Sequence, residues 1–273
     1  MLFKDFSTYL KRLEDTPLRN KMTEILAELF KKCSSEEIDK ICYLSLGRLA
    51  PKYEGIEFNM GEKLMVRAVG MAFNESLKQT MRDYKQTGDL GETALKLKVA
   101  VQSSKLTVWE VYSRLREIAE DAGDGSVERK INSMAKLLKE LDSLSAKYIA
   151  RIPVNKLRLG FSDMTILDAL SWMETGDKSL RPELERAFNV LADIGKIAKT
   201  FRLKGLKGIK GIRSEIGVPI RAALAERLKD PKKILEKMDG KCAVEPKMDG
   251  FRVAIHVDKD RKLQLIKETR LKF

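Results

Sequence analysis

Between Pro51 and Pro153 the chain carries no proline. Proline removes a backbone donor and clashes with the preceding turn, so its absence over so long an interval lets helices run uninterrupted. What fills the interval is helical in pattern. Ser34-Ser35-Glu36-Glu37 has the spacing of a capping box, and the IDKICYLSLG that follows places Ile38, Ile41, Cys42, Leu44 and Ser45 on one face, with Gly47 as a stop. Thr107-Val108-Trp109-Glu110 repeats the capping spacing before VYSRLREIAEDA, closed by Gly123. Ser126 opens a third helix through SMAKLLKELD, and Thr165 to Met173 and Pro182 to Thr200 read as two more. Short Gly- and Asp-rich turns join them, as in a compact all-α domain.

After residue 200 the pattern changes. Gly205, Gly208 and Gly211 alternate with Lys204, Lys207 and Lys210, a spacing that disfavours a long helix and offers bare backbone N–H groups to an anion. Gly217-Val218-Pro219 reads as a linker, Ala222 to Lys229 as a short helix ended by Asp230-Pro231, and Lys232 to Met238 as another. From Cys242 on, CAVEPKMDGFRVAIHVD and RKLQLIKE alternate as strands around the tight turn Asp249-Gly250. Three strands cannot bury their own apolar face, so the chain is expected to stop where a β-rich domain begins.

Charge bounds the partner. The net charge is +13, and from Lys196 to Lys241 fourteen Lys or Arg stand against five Asp or Glu. Such a local excess suits a polyanion. No apolar run approaches the roughly 18 residues of a membrane span, and Lys4 and Asp5 interrupt the apolar start that a signal peptide would need. Cys33, Cys42 and Cys242 have no metal-ligand spacing and His256 is the sole histidine, so neither a zinc site nor a histidine-based triad is expected. Reduced, buried thiols in a cytoplasmic protein are the expectation. Trp109, Trp172, Met60, Met65 and Met71 are expected in the core, and His256 in a structural role.

The segment Glu245-Pro246-Lys247-Met248-Asp249-Gly250-Phe251-Arg252 carries the chemistry. It resembles motif I, E-x-K-x-D-G-x-R, of the covalent nucleotidyltransferases in its DNA ligase form. Val218 to Arg227 resembles the segment that leads into the adenylation domain of archaeal and eukaryotic replicative ligases, with Ala222 and Ala223 where that family has Pro and Met. Gly47-Arg48-Leu49-Ala50-Pro51, Gly88-Asp89-Leu90-Gly91, Lys156-Leu157-Arg158-Leu159-Gly160, Thr165 to Leu170 and Asp193-Ile194-Gly195 resemble landmarks of the same family's DNA-binding domain, in family order. Enzymes of RNA capping and RNA ligation share motif I but lack so long a helical region.

The resemblance implies a mainly α chain: an all-α helical DNA-binding domain over 1–212, then a linker and the truncated start of an α/β nucleotidyltransferase domain over 213–273, with a β-hairpin remnant. It implies an ATP-dependent DNA ligase that uses Mg²⁺ and seals nicks through a lysyl-AMP intermediate in replication, recombination and repair. Lys247 is then the nucleophile. Glu245 borders the adenine, Arg252 contacts the nucleotide, and Arg270 is the candidate for the next motif's arginine, although Lys267 to Phe273 departs from that motif. No residue is assigned as a metal ligand. Lys204, Lys207, Lys210, Lys156 and Arg158 are the candidates for sequence-independent contact with nicked duplex. The loop Val101 to Leu106 lacks the aromatic pair of a sliding-clamp peptide, so no clamp partner is expected; a monomer at the nucleoid is. The alternative is a truncated, non-catalytic fragment that holds nicked duplex without sealing it.

Overall fold

A computed structural model describes residues 1–98, 104–221, 226–246, 253–257 and 263–267. The helices are α1 (Phe3–Glu14), α2 (Arg19–Lys32), α3 (Ile38–Ser45), α4 (Glu62–Ala72), α5 (Leu77–Thr87), α6 (Leu90–Leu97), α7 (Val108–Glu120), α8 (Ser126–Glu140), α9 (Ser143–Arg151), α10 (Asp163–Thr175), α11 (Arg181–Val190), α12 (Ile194–Lys210) and α13 (Pro231–Lys237). A 3-10 turn, Lys52–Glu54, lies between α3 and α4. Strands β1 (Val253–Val257) and β2 (Leu263–Lys267) pair antiparallel, with Val253 opposite Lys267 and Val257 opposite Leu263. The chain is mainly α, as the pattern requires.

The helices bury their apolar stripes against one another, chiefly as the pairs α2–α10, α6–α9, α4–α8 and α3–α12. Phe3, Phe6, Leu10, Leu26, Phe30 and Tyr148 lie at the centre of this core. Its amino-terminal edge is sewn by backbone: Phe3 N–H donates to the Leu106 carbonyl at 2.8 Å and Val108 N–H to the Met1 carbonyl at 3.0 Å. Burial of charge is confined to paired groups. Arg151 reaches Glu14 and Asp89, both at 2.8 Å, while Lys147 reaches Glu14 at 2.9 Å and Glu92 at 2.7 Å. The buried Lys130 ammonium donates to the carbonyls of Phe58 (2.8 Å) and Ala119 (3.2 Å).

Several local expectations change. The Thr107 capping box forms, with Glu110 closing it. The Ser34 one does not: the Ser34 hydroxyl donates to the Glu37 carboxylate at 3.1 Å and does not accept from its N–H, the Met1 ammonium donates to the other oxygen at 2.6 Å, and α3 begins one residue after Glu37. Pro182 to Thr200 is not one helix, because Leu191 to Asp193 turns the chain between α11 and α12. The glycine-spaced lysine stretch stays helical to Lys210, broken only at Gly205. Residues 226–230 have no regular structure, and the rest of the helix expected there lies outside the described residues. Trp109 and Met71 are not core residues; they are 53 % and 49 % exposed. Trp172 is half-buried against the core, and Met60 and Met65 are buried in it. Cys33 and Cys42 are buried, whereas Cys242 is exposed.

The linker over 217–221 is not loose. Val218 is buried, Pro219 accepts from Ala192 N–H at 3.3 Å, and Arg221 N–H donates to the Asn189 carbonyl at 2.9 Å. The Arg221 guanidinium lies 4.6 Å from the Phe188 ring centre. Its short apolar and cationic residues thus dock on the α11–α12 corner instead of crossing solvent.

Candidate nucleic-acid interface

Positive charge on α12 falls into two groups. In the first half each basic side chain is engaged: Lys196 with Glu215 (2.8 Å), Lys199 with Glu36 (2.9 Å), and Arg202 with the Lys31 carbonyl (3.3 Å). Around the break, Lys204, Lys207 and Lys210 are exposed and make no ion pair or hydrogen bond with the described residues. Three unneutralised ammonium groups on one short stretch repel each other and attract an anion.

The break has a local cause. Gly205 sits at φ 54°, ψ −154°, a conformation that a side chain makes costly. Beyond it the helix resumes, and Arg186 donates to the carbonyls of Ile209 (3.1 Å) and Lys210 (3.4 Å), while Arg213 donates to Lys210 (3.0 Å). These cations satisfy the last carbonyls of α12 and complement its dipole. Contact with an anion therefore falls to the lysine side chains more than to a glycine-opened backbone.

The start of α12 is locked as firmly. Asp193, 2 % exposed, caps the helix by accepting from Lys196 N–H at 3.0 Å. Its carboxylate also accepts from the Tyr43 hydroxyl at 2.5 Å and lies 3.5 Å from that of Tyr53. Burial and the adjoining Asp193 carboxylate push both tyrosine hydroxyls up. A methyl group on Gly195 would sit 2.3 Å from the Tyr43 ring, so only glycine lets α3 and α12 approach this closely.

The second candidate is the turn between α9 and α10. Leu157 and Leu159 are buried, and the alternate residue Arg158 is exposed. Asn155 (φ 55°), Arg158 (φ 54°) and Gly160 (φ 75°) are all left-handed, an unusual density of strain for a short turn. Lys156 is half-buried and closely ion-paired with Glu62, whose hydrogen bond holds the ammonium above the ordinary lysine range. Arg158 has no hydrogen-bond or ion-pair partner among the described residues.

The structure brings Lys204, Lys207 and Lys210 onto one helix and sets Lys156 and Arg158 in one turn. Glu245 is exposed, in irregular backbone after α13. Lys247, Arg252 and Arg270 lie outside the described residues. His256 Nδ1 accepts from Gly217 N–H at 3.0 Å, a structural contact. Sequence reasoning missed the Asp193–Tyr43–Tyr53 lock and the capping arginines Arg186 and Arg213. Asp193 could have been found as the N-cap residue before Ile194-Gly195; the tyrosines come from sequence-distant segments and left no local sign. No helix among the described residues is long and apolar enough to cross a membrane.

Residues 2–171 match the family described as "DNA ligase N terminus". A "Probable DNA ligase" from Dictyoglomus thermophilum is 48% identical over 256 residues, which is 94% of this chain and 44% of that protein. A "DNA ligase" from Sulfurisphaera tokodaii is 42% identical over 278 residues (97% and 46%), and one from Sulfolobus acidocaldarius is 43% identical over 269 (94% and 45%). The chain thus spans a little under half the length of these relatives. With the family match covering most of a helical body that ends in an unpaired basic ridge, the chain belongs to the DNA ligase family and corresponds to its N-terminal part.

Proposed function

We propose that this chain is the DNA-holding part, with the start of the nucleotidyltransferase part, of an ATP-dependent ligase that seals nicks in replication, recombination and repair. Residues 1–212 form the DNA-binding domain, and 213–273 form the linker and the beginning of the adenylation domain. The observation that carries the reading is the contrast along α12, where the basic groups are neutralised up to Arg202 and then left free at Lys204, Lys207 and Lys210. Lysines on a helix contact phosphates without reading bases, which suits an enzyme that must act at any nick. Arg158 supplies a second contact, which Lys156 joins only on leaving Glu62. The protein works as a monomer at the nucleoid.

In the nucleotidyltransferase part, the neutral ε-amine of Lys247 attacks the α-phosphorus of the substrate ATP. An N–P bond forms, the α–β bridging P–O bond breaks, and pyrophosphate leaves. An ordinary lysine is protonated and not nucleophilic, so a neighbouring cation such as Arg252 is needed to favour the free amine. Glu245 borders the base, and Arg270 belongs to the nucleotide contacts. Mg²⁺, when bound, supplies charge neutralisation at the phosphates.

Fluorescence anisotropy with a labelled nicked duplex, repeated over a salt series, tests the DNA-holding role. Replacing Lys204, Lys207 and Lys210 together by Ala is expected to flatten the log K against log salt slope by about 2 to 3, since each phosphate contact contributes roughly 0.9. An absence of duplex binding even at low salt would overturn the reading. Intact mass after incubation with ATP and Mg²⁺ tests the chemistry: a single AMP adduct lost in Lys247→Ala supports first-step chemistry in this chain, and no adduct together with salt-sensitive duplex binding supports the DNA-holding fragment.

A further inference from the structure

One cavity of this basic molecule is net acidic. It opens between α3, α7, the 3-10 turn and the start of α12, with a volume of about 530 Å³. Five carboxylates and three cations line it, in a chain whose net charge is +13. Most of its cations are already committed. Arg116 is shared between Glu120 at 2.7 Å and Glu54 at 3.9 Å, and Lys196 turns to Glu215. Lys40 is held by Asp39 at 3.0 Å. Glu117 is exposed with no ion-pair or hydrogen-bond partner among the described residues, and Asp193 is answered only by tyrosine hydroxyls and a backbone N–H. Burial, reinforced by the Asp193 and Glu120 carboxylates, outweighs Arg116 and holds the Glu54 carboxyl above its usual range.

The second feature of this cavity is aromatic. Trp109, half exposed, stacks on Tyr112 with ring centres 6.3 Å apart and planes 23° from parallel. The Lys40 ammonium already lies 4.8 Å from the Trp109 ring centre, so the electron-rich ring accepts a cation in this setting. Tryptophan is among the residues enriched at the hot spots of protein interfaces.

We propose that this cavity is a docking site for a basic segment of a partner protein, with an arginine laid against Trp109 and its guanidinium directed to Glu117 and Glu54. Arginine fits both halves of the site at once: its planar group stacks on an aromatic face and forks onto carboxylates. Nucleic acid is excluded by the sign of the charge. The same protein would then present a cationic ridge to DNA and an anionic pocket to a protein, two surfaces that do not compete for a ligand.

The test uses the full chain carrying Trp172→Phe, so that Trp109 is its sole indole. The probe is an acetylated, amidated peptide of three arginines alternating with glycine. Its control is the same peptide with citrulline, neutral and of equal shape, in place of arginine. Saturable change in Trp109 fluorescence with the arginine peptide, at least tenfold weaker with citrulline and at least tenfold weaker again in Glu54→Gln/Glu117→Gln, is the expected result. Glu117→Gln alone removes an exposed group with no partner among the described residues, so it leaves folding intact and should weaken binding severalfold. No saturable signal, an equal response to the citrulline peptide, or a response unchanged in the glutamine variants would each overturn the proposal. Binding of nicked duplex by the same samples, read separately, reports on the ridge of α12 and is expected to persist in every variant.

Discussion

Lys156 and Arg158 stand two residues apart, yet they enter an encounter with a polyanion differently. Arg158 is free, while Lys156 must first leave Glu62. Glu62→Gln is therefore expected to tighten nicked-duplex binding about two- to fivefold and steepen the salt slope by about 0.9, as expected when an exposed pair gives up one cation to phosphate. Glu57→Gln removes a neighbouring exposed carboxylate that has no partner among the described residues and should leave the slope unchanged. The Lys156→Ala change should matter little in the wild type and abolish the gain in Glu62→Gln. Glu14 gives a pH prediction. Burial raises its pKa, but hydrogen bonds from Arg151, Lys147 and Tyr148 outweigh that and bring it down to about 2. A depressed carboxyl stabilises the fold above its unfolded value near 4.5, and that contribution is lost as pH falls from there towards 2. Denaturant titrations at pH 7 and pH 3 should show this loss, and Glu14→Gln should shrink the difference between the two by on the order of 1 to 2 kcal/mol, leaving the share of other depressed carboxyls such as Glu28.

Among the elements, α12 is held at both ends and bent in the middle, and each device predicts a different failure. Gly195→Ala drives a methyl group into the Tyr43 ring and is expected to destabilise by about 2 to 3 kcal/mol in chemical denaturation, because the α3–α12 approach cannot widen locally. Gly205→Ala has open space around it but the wrong backbone angles. It should cost only about 1 to 2 kcal/mol while weakening duplex binding more than stability, since straightening the helix redirects Lys207 and Lys210. The two capping boxes show what is legible at this scale. Thr107 and Ser34 carry the same spacing, but only Thr107 is left to local forces. At Ser34 the hydroxyl donates to the Glu37 carboxylate and does not cap its N–H, and the Met1 ammonium holds the other oxygen, a partner more than thirty positions away that no reading of neighbouring residues could foresee. The three glycines Gly205, Gly208 and Gly211 read alike as breakers; the helix breaks at Gly205 and ends at the Gly211 cap, but runs on through Gly208, because glycine permits a bend without requiring one.

At the scale of the whole molecule, apolar periodicity and the proline-free interval were enough to read a mainly α chain, and the charge count from Lys196 to Lys241 indicated where its basic ridge would lie. Which of the many cations are free was not legible, since that depends on carboxylates brought in from other segments: Glu36 for Lys199, Glu62 for Lys156, Glu215 for Lys196. Trp109 was misplaced for a related reason. Its helix has a buried face on Val108, Val111, Tyr112 and Leu115, and the indole lies just past the edge of that stripe, where periodicity is ambiguous.

The uneven fate of the lysines has a chemical consequence. An amine-directed acylating reagent needs a solvent-accessible, unhindered amino group. Lys204, Lys207 and Lys210 offer that, whereas Lys130 and Lys147 are buried with their donors spent on carbonyls or carboxylates. The ridge should label within the first moments of exposure and be shielded once a duplex is seated on it. The two interior lysines should label only when the helical body opens. One chain thus contains both the probe of its binding surface and the internal standard for its own integrity.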